Sequence, residues 1–288
     1  MRTERLVQHL LGLAAACSVA VTVLIFGFMV ILGLPLITGG AFFQMFTSPW
    51  LPSQAVYGIA PMMVGTVSIA GLALAFSFPV SLGCAALISV LGTGPLPALL
   101  HRLVRFMTGI PTVVYGFAGI FVLVPMIREW VGRGSGMCIF SAALLLAVLV
   151  APTMILFFSD SFSSVPKAYL TAADALGATP VQKLFHVVIP CSWRGLITGV
   201  VLALGRALGD TLIALMIAGN ATAMPGSVLD PARTLTAHIA LVVAADFDSL
   251  EFRTLFACGI ILYVCTTLMV IFTRRVGAVS ERRLWRSA

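Results

Sequence analysis

Charge is scarce in this chain. Lys, Arg, Asp and Glu make up 9% of its 288 residues, where a soluble globular protein carries about a quarter. So little charge cannot cover a solvated surface, which excludes a water-soluble domain. A covalent or metal framework is not expected either. Cys17, Cys84, Cys138, Cys191, Cys258 and Cys265 are scattered through mostly apolar segments with no CxxC pair, as small apolar packing residues would be. No Gly-x-Ser-x-Gly, His-Glu-x-x-His or paired-carboxylate pattern occurs, so no catalytic residues, metal or cofactor are expected. Gly-x-x-x-x-Gly-Lys-Ser/Thr is also missing. Any ATP-driven step must therefore belong to another polypeptide.

What the chain has instead is apolar length, with 60% hydrophobic residues. Six runs, about 10–34, 59–78, 106–127, 137–158, 196–218 and 253–273, approach or exceed the roughly 20 residues that cross about 30 Å of hydrocarbon. The expected fold class is all-α: a polytopic membrane protein of about six transmembrane helices, one domain over residues 1–288. The apolar stretch after Ile59 continues to Val90. Pro79 predicts a kink in it, with 80–91 running on near the interface. The first run is far longer than a signal h-region of about 7–15 residues and has no small-x-small site, so it is expected to be retained.

Positive charge is distributed as membrane topology requires. With the N-terminus, 92–105, 159–195 and the C-terminus in the cytoplasm, Arg2, Arg5, Arg102, Arg105, Lys167, Lys183, Arg194, Arg274, Arg275, Arg282, Arg283 and Arg286 lie inside. Arg128, Arg133, Arg233 and Arg253 lie outside. The net charge of +7 is thus read as orientation in a cytoplasmic membrane rather than as nucleic-acid binding. Segment 35–58, with Pro35, Gly39, Gly40, Pro49, Trp50 and Pro52, reads as an external loop lying at the interface. Segment 219–252, with Asp230, Asp246, Asp248 and Glu251, reads as a second external loop. His9, His101, His186 and His238 stand apart from one another and are expected in loops or at the interface.

The 159–195 loop carries helix punctuation. Pro166 opens a short helix and Gly177 closes it. Thr179 then offers a capping hydroxyl ahead of Pro180. Val181, Leu184, Phe185 and Val188 fall at i, i+3, i+4 and i+7, one apolar stripe. The expectation is a structured helix-turn-helix under the membrane. It is either an amphipathic connector or a docking surface for a cytoplasmic partner.

Within the fifth run stand Arg206 and Asp210. A charge near the bilayer centre costs roughly 2.5–3.5 kcal/mol on insertion scales and usually faces a bundle interior or a water-filled path. Gly195, Gly199, Ala203 and Ala207 recur every four residues on the same helix, a stripe that lets helices approach closely. Arg206 is ten residues past Leu196, so about 15 Å in. A guanidinium stays protonated and matches oxyanion geometry. Asp210 is expected to pair with Arg206 at rest and release it when an anion passes; the alternative is a static i,i+4 ion pair that only locks packing. Thr211 and Asn220 flank the pair, as path-lining groups or as a backbone-bonded threonine and a helix cap. At the head of the third run, Gly109, Pro111, Tyr115 and Gly116 suit either a gate that loosens the helix near its cytoplasmic end or a packing kink.

Three of these segments carry a family resemblance. Thr171-Ala172-Ala173, Gly177 and Val187-Val188-Ile189-Pro190 resemble the EAA loop of binding-protein-dependent ABC importer permeases, with Thr171 in place of the usual glutamate. Gly109-Ile-Pro-Thr-Val-Val-Tyr-Gly116 is similar to the GIPSVVYG signature of phosphate transport system permeases. Leu204-Gly-Arg-Ala-Leu-Gly-Asp-Thr211, followed by Met216-Ile-Ala-Gly-Asn220, is similar to the LGRAxGET and MVAGN block of their C-type subunit, with Asp210 where glutamate is usual. The resemblance covers about 59–273.

The resemblance implies a type I ABC importer permease fold in a bacterial inner membrane, with no ATPase site of its own. It implies that Thr171, Ala172, Ala173, Asp174, Gly177 and Pro190 couple to an ATPase, with Asp174 as a substitute for the missing glutamate. It implies a second, A-type permease subunit, two ATP-binding cassette subunits and an extracytoplasmic phosphate-binding protein as partners. Sulfate, molybdate or phosphonate is the nearest rival substrate. A secondary transporter, which often shows inverted repeats, is the rival outside the class.

Overall fold

The computed structural model describes residues 2–38, 45–54, 56–132, 134–244 and 249–284. Gly39, Gly40, Arg133, Asp246, Asp248 and Arg286, named above, lie outside the described residues. In chain order the helices are α1 (Arg2–Thr38), α2 (Ala60–Leu91), α3 (Leu96–Thr108), α4 (Thr112–Val131), α5 (Ile139–Ser163), α6 (Lys167–Ala175), α7 (Pro180–Gly209), α8 (Leu212–Ile217), α9 (Leu235–Val242) and α10 (Leu250–Leu284). α1, α2, α4, α5, α7 and α10 are long and apolar enough to cross a membrane.

α5 is the central post. In its most apolar window 67% of residues are buried, against 28% or less in the other five. Two rungs fix α2 beside it: Ser81 Oγ donates to the Ala151 carbonyl at 3.4 Å and Ser89 Oγ to the Ser159 carbonyl at 3.3 Å. The offset of 70 residues is the same in both, so α2 and α5 run parallel and in register. α7 packs the other way. Gly195 meets Ser161, while Gly199 meets Phe157 and Phe158, earlier in α5. Neither glycine has room for a Cβ, and Gly199, Ala203 and Ala207 are buried. The stripe of small residues is therefore the seam on which α7 approaches α5.

The prolines act differently in different helices. α2 runs straight through Pro79, with buried Ser77 and Ser81 on either side, 3.4 Å apart at their hydroxyls. Neighbouring helices and serine hydroxyls make such a proline tolerable in lipid, so 80–91 continues the span. Pro111 does break the chain. The residue before a proline is pushed out of the helical region, and Pro111 itself is extended at ψ 142°. The expected run 106–127 is thus two elements: α3, amphipathic and separate, and the span α4. α1 leans on α10, through Phe26 stacked on Tyr263 at 4.3 Å and Gly33 against Ile260 and Phe256.

The described parts of the two loops expected outside pack against the helices. Trp50–Leu51 (β1) pairs antiparallel with Val56–Tyr57 (β2). Trp50 is buried, edge-on to His238 with ring centres 4.6 Å apart. His238 is fully buried, so both rings are packed inside the protein rather than on its surface. The segment after α8 lies across one end of the bundle. Val228 and Asp230 carbonyls accept from the Phe140 and Ile139 amides at 2.8 and 3.1 Å, closing the open start of α5. Ala232 bonds Ala218 at 2.8 Å, and the Leu235 amide donates to Thr66 Oγ1 of α2 at 2.9 Å. Residues 219–235 are therefore packed against the helices.

Candidate functional site

The Arg206 centre is built by α7 and α5. Arg206 Nη1 donates to Thr153 Oγ1 at 3.1 Å. Thr153 lies 14 residues into α5, about 21 Å from its Ile139 end at 1.5 Å per residue. The guanidinium therefore stands about midway along α5, and Arg206 is half-buried.

The expected Arg206–Asp210 pair is not formed. Among the described residues one ion pair closer than 4 Å is present, Lys183–Asp174. The cause lies in the backbone. The fifth run was expected to continue to residue 218, but α7 ends at Gly209 and Asp210 is extended at ψ 120°. One turn of helix no longer separates the two side chains. Asp210 Oδ1 instead accepts from the Ile213 amide at 2.8 Å, satisfying an orphan donor at the start of α8. Thr211 caps nothing with its side chain. Asn220 adopts positive φ (53°), and its Nδ2 donates to the Leu215 carbonyl at 2.6 Å, closing α8. Its Oδ1 is buried with no partner among the described residues.

The Gly109–Gly116 block divides its work. Gly109 ends α3 and Pro111 precedes α4. The Tyr115 hydroxyl reaches back over the break to the Met107 carbonyl at 3.1 Å. Gly116 is not a loosened point: it is buried, and a Cβ there would come 2.6 Å from Met216 Sδ. Gly119, one turn on, meets Ile217 and Leu145 in the same way. α4 therefore carries α8, and so the Asp210 break, on two glycines.

At the opposite end from residue 139 lies the segment with helix punctuation. α6 is closed by Gly177 at φ +75°, with its amide on the Asp174 carbonyl at 2.9 Å. Thr179 and Gln182 cap each other reciprocally. The second short helix is in fact the first part of α7, so the connector is shorter than 159–195. The predicted apolar stripe is split. Leu184 and Val188 are buried, while Val181 and Phe185 are 53% and 59% exposed. A wide π-type turn at Leu184–Val188 interrupts the 3.6-residue repeat there. Asp174 is held by Lys183 at 2.6 Å, and Thr171 Oγ1 bonds the Lys167 carbonyl at 3.0 Å. Ala173 is buried, Ala172 exposed, and Pro190 stands exposed where α7 enters the bundle. Leu176, at the tip, is 88% exposed.

Thr153, Arg233, Thr236 and His238 join these groups without having been singled out in the sequence as site residues. Thr236 Oγ1 donates to the Asp210 carbonyl at 3.1 Å. His238 Nε2 faces Thr254 Oγ1 at 3.1 Å. Burial, and then the nearby Arg233 charge, push the His238 imidazole down to about 4. Among the described residues no group of three His, Cys, Asp or Glu side chains could hold a metal ion.

The chain is 32% identical over 269 residues to the probable ABC transporter permease protein YqgH of Bacillus subtilis (strain 168), covering 91% of this chain and 86% of that protein. It is 31% identical to the phosphate transport system permease protein PstC of Haemophilus influenzae, covering 82% of this chain and 80% of that protein. An inward-facing structure of the MetNI methionine ABC transporter overlays with a TM-score of 0.61 at 18% identity, over 77% of this chain and 95% of that chain. A structure of a bacterial alginate ABC transporter overlays with a TM-score of 0.56 at 16% identity, over 89% and 92%. These two likenesses concern the fold, which is that of ABC importer membrane subunits. The model of the family described as the binding-protein-dependent transport system inner membrane component matches residues 77–286. That stretch takes in α3 to α10 with every group of the Arg206 centre, and the chain belongs to this family.

Proposed function

We propose that this chain is the C-type membrane subunit of an ATP-driven importer of inorganic phosphate, and that the anion passes Arg206. The observation that carries this reading is Arg206 itself. It is a half-buried guanidinium about midway along α5 in an apolar bundle, with one hydroxyl partner and no carboxylate within 4 Å among the described residues. An unneutralised cation at that depth is costly, and a passing oxyanion relieves the cost while using the remaining donors of the fork. The relatives named as phosphate transport permeases, at 30–31% identity in Haemophilus, Pasteurella and Mesorhizobium, favour phosphate as that anion.

In this reading Thr153 holds the guanidinium in place between transport events. Asp210, Thr211 and Asn220 form the bend beside it. Tyr115 ties the two halves of the jointed α3–α4 arm, whose break at Gly109 and Pro111 lets it move as a gate. The turn that ends α6 presents Leu176, with Tyr169, Val181 and Phe185 also exposed, to a separate ATP-hydrolysing subunit in the cytoplasm, coupled through Thr171–Gly177. Both termini lie on that side. The exposed flank of α1 faces lipid or a second, A-type permease. An extracytoplasmic phosphate-binding protein delivers the anion to the Ile139 end.

The test is uptake of labelled phosphate at micromolar concentration by cells lacking their own phosphate importers, given this chain and its companion subunits. Uptake that needs an intact ATPase, resists excess sulfate and molybdate, and is lost in Arg206→Ala is expected. An assembled complex that ignores phosphate but takes up one of the competitors would move the substrate to that oxyanion.

A further inference from the structure

The segment between α8 and α9 holds a second arginine that this reading has not used. Arg233 was expected in a solvated loop, but it is half-buried. Its Nε donates to the Asn220 carbonyl at 3.1 Å, and its terminal nitrogens donate to no group among the described residues. No carboxylate comes within 4 Å of it among those residues. Glu251 acts on it from further away. A guanidinium has five donors in a fixed fork, and here one of them is engaged.

The arginine stands on a rigid support. Its own carbonyl lies against Gly65 of α2, where a Cβ would come within 2.5 Å. Ala232 on one side is fully buried and bonded to Ala218. Leu235 on the other is bonded to Thr66. The same segment leads to the Arg206 centre, because Thr236, three residues on, donates to the Asp210 carbonyl where α7 ends. Two guanidinium groups without an ion pair among the described residues thus stand before and after one helix break. Arg206 is about midway along α5, and Arg233 is at the end where residues 219–235 close over α5.

We propose that Arg233 is the first cationic contact for the transported oxyanion at the outer mouth of the path, from which the anion passes on to Arg206. This rests on the reading of the chain as an oxyanion permease. An anion leaving its binding protein gives up charged and hydrogen-bonding partners, and the free end of a pre-positioned fork replaces two of them at once. Low-dielectric walls around the mouth concentrate the field of that charge. Two separate cationic stations let the anion be held at each without being trapped at either.

The experiment compares wild type, Arg233→Gln, Arg233→Lys and Arg206→Ala in the complete transporter, reconstituted in vesicles with its ATPase and binding protein. Labelled phosphate uptake is read beside the thermal unfolding of each complex. Glutamine keeps polarity without charge; lysine keeps charge without the Nε bond to Asn220. Because it loses hydrogen bonds made by a charged group, Arg233→Gln is expected to lower uptake about tenfold or more. Arg233→Lys is expected to recover clearly more than Arg233→Gln, even where both lower the unfolding temperature alike. Lysine no better than glutamine, or glutamine at the wild-type rate, overturns the inference. If wild type takes up sulfate or molybdate and no phosphate, the phosphate reading fails, and the same comparison with that anion decides Arg233 on its own. If wild type carries no oxyanion, both fall together.

Discussion

The Arg206 guanidinium donates to the Thr153 hydroxyl at 3.1 Å, while the carboxylate of Asp210, four residues along the chain, accepts from the Ile213 amide. Two charges that would form a pair on an unbroken helix have separate duties. The first expectation follows from the arginine's side of this division. Arg206→Ala should abolish uptake, whereas Thr153→Val should lower it by about tenfold, the cost of one hydrogen bond to a charged group. Transport assays on both, with unfolding temperatures measured in parallel, check the ranking. Thr153→Val as inactive as Arg206→Ala would mean that the threonine does more than hold its partner.

Asp210 should behave as a cap more than as a counter-ion. Asparagine also caps, and losing such a cap to alanine costs about 1 kcal/mol. Asp210→Asn is therefore expected to unfold near the wild-type temperature and Asp210→Ala lower. Equal losses in the two variants would argue for the negative charge instead.

The glycines of the two seams should differ in tolerance. At Gly199 a Cβ meets the buried Phe158 ring at 2.8 Å, with Phe157 at 3.1 Å. At Gly116 it meets the flexible end of Met216. Gly199→Ala should cost about 1–3 kcal/mol, the usual range for overpacking, and Gly116→Ala less. Thermal unfolding of the purified complexes orders them.

Leu176 offers a clean separation of folding from docking. It is 88% exposed, so Leu176→Asp removes nothing from the core. The variant is expected to reach the membrane and unfold like wild type while retaining little of the ATPase subunit on purification. Undiminished co-purification would place the docking surface elsewhere.

His238 gives stability a pH dependence. Thr254 spends its hydroxyl hydrogen on the Glu251 carbonyl at 2.6 Å, so His238 Nε2 must be the donor between them, and Nδ1 is left buried without a partner among the described residues. The imidazole is held at about 4 by burial and by Arg233, below the usual value of about 6.5. Between those values the unfolded chain binds the proton and the folded one does not. Stability should therefore fall as pH drops from about 6.5 towards about 4 and be level in this respect above neutrality. His238→Gln is expected to flatten that slope; an unchanged slope would exclude His238 as its source.

Much of this architecture is legible in the sequence, and the exceptions have physical causes. Long apolar runs reveal the spans because hydrocarbon demands them, and Gly177, Thr179 and Pro180 reveal the short helices because each solves a local backbone problem. What hydropathy hides is where an apolar run changes direction. Pro111 and Gly209-Asp210 break helices inside continuous hydrophobicity, and the turn signals there are outweighed by composition. Thr153 is a single hydroxyl in an apolar run, and its meeting with Arg206 depends on how α5 and α7 cross. Arg233 and His238 read as loop residues because their burial comes from Gly65, Thr66 and Trp50, far away in the chain.

The segment over the Ile139 end has one more consequence. Its carbonyls finish the first turn of α5, its Ala232 amide is bonded to Ala218 just after α8, and its Leu235 amide is bonded to α2. Lifting it alone would expose all these groups at once. It cannot work as a hinged flap on fast loop timescales. An opening at that end has to carry the segment along with the helices it is stitched to, as a concerted displacement of packed bodies in the microsecond-to-millisecond range.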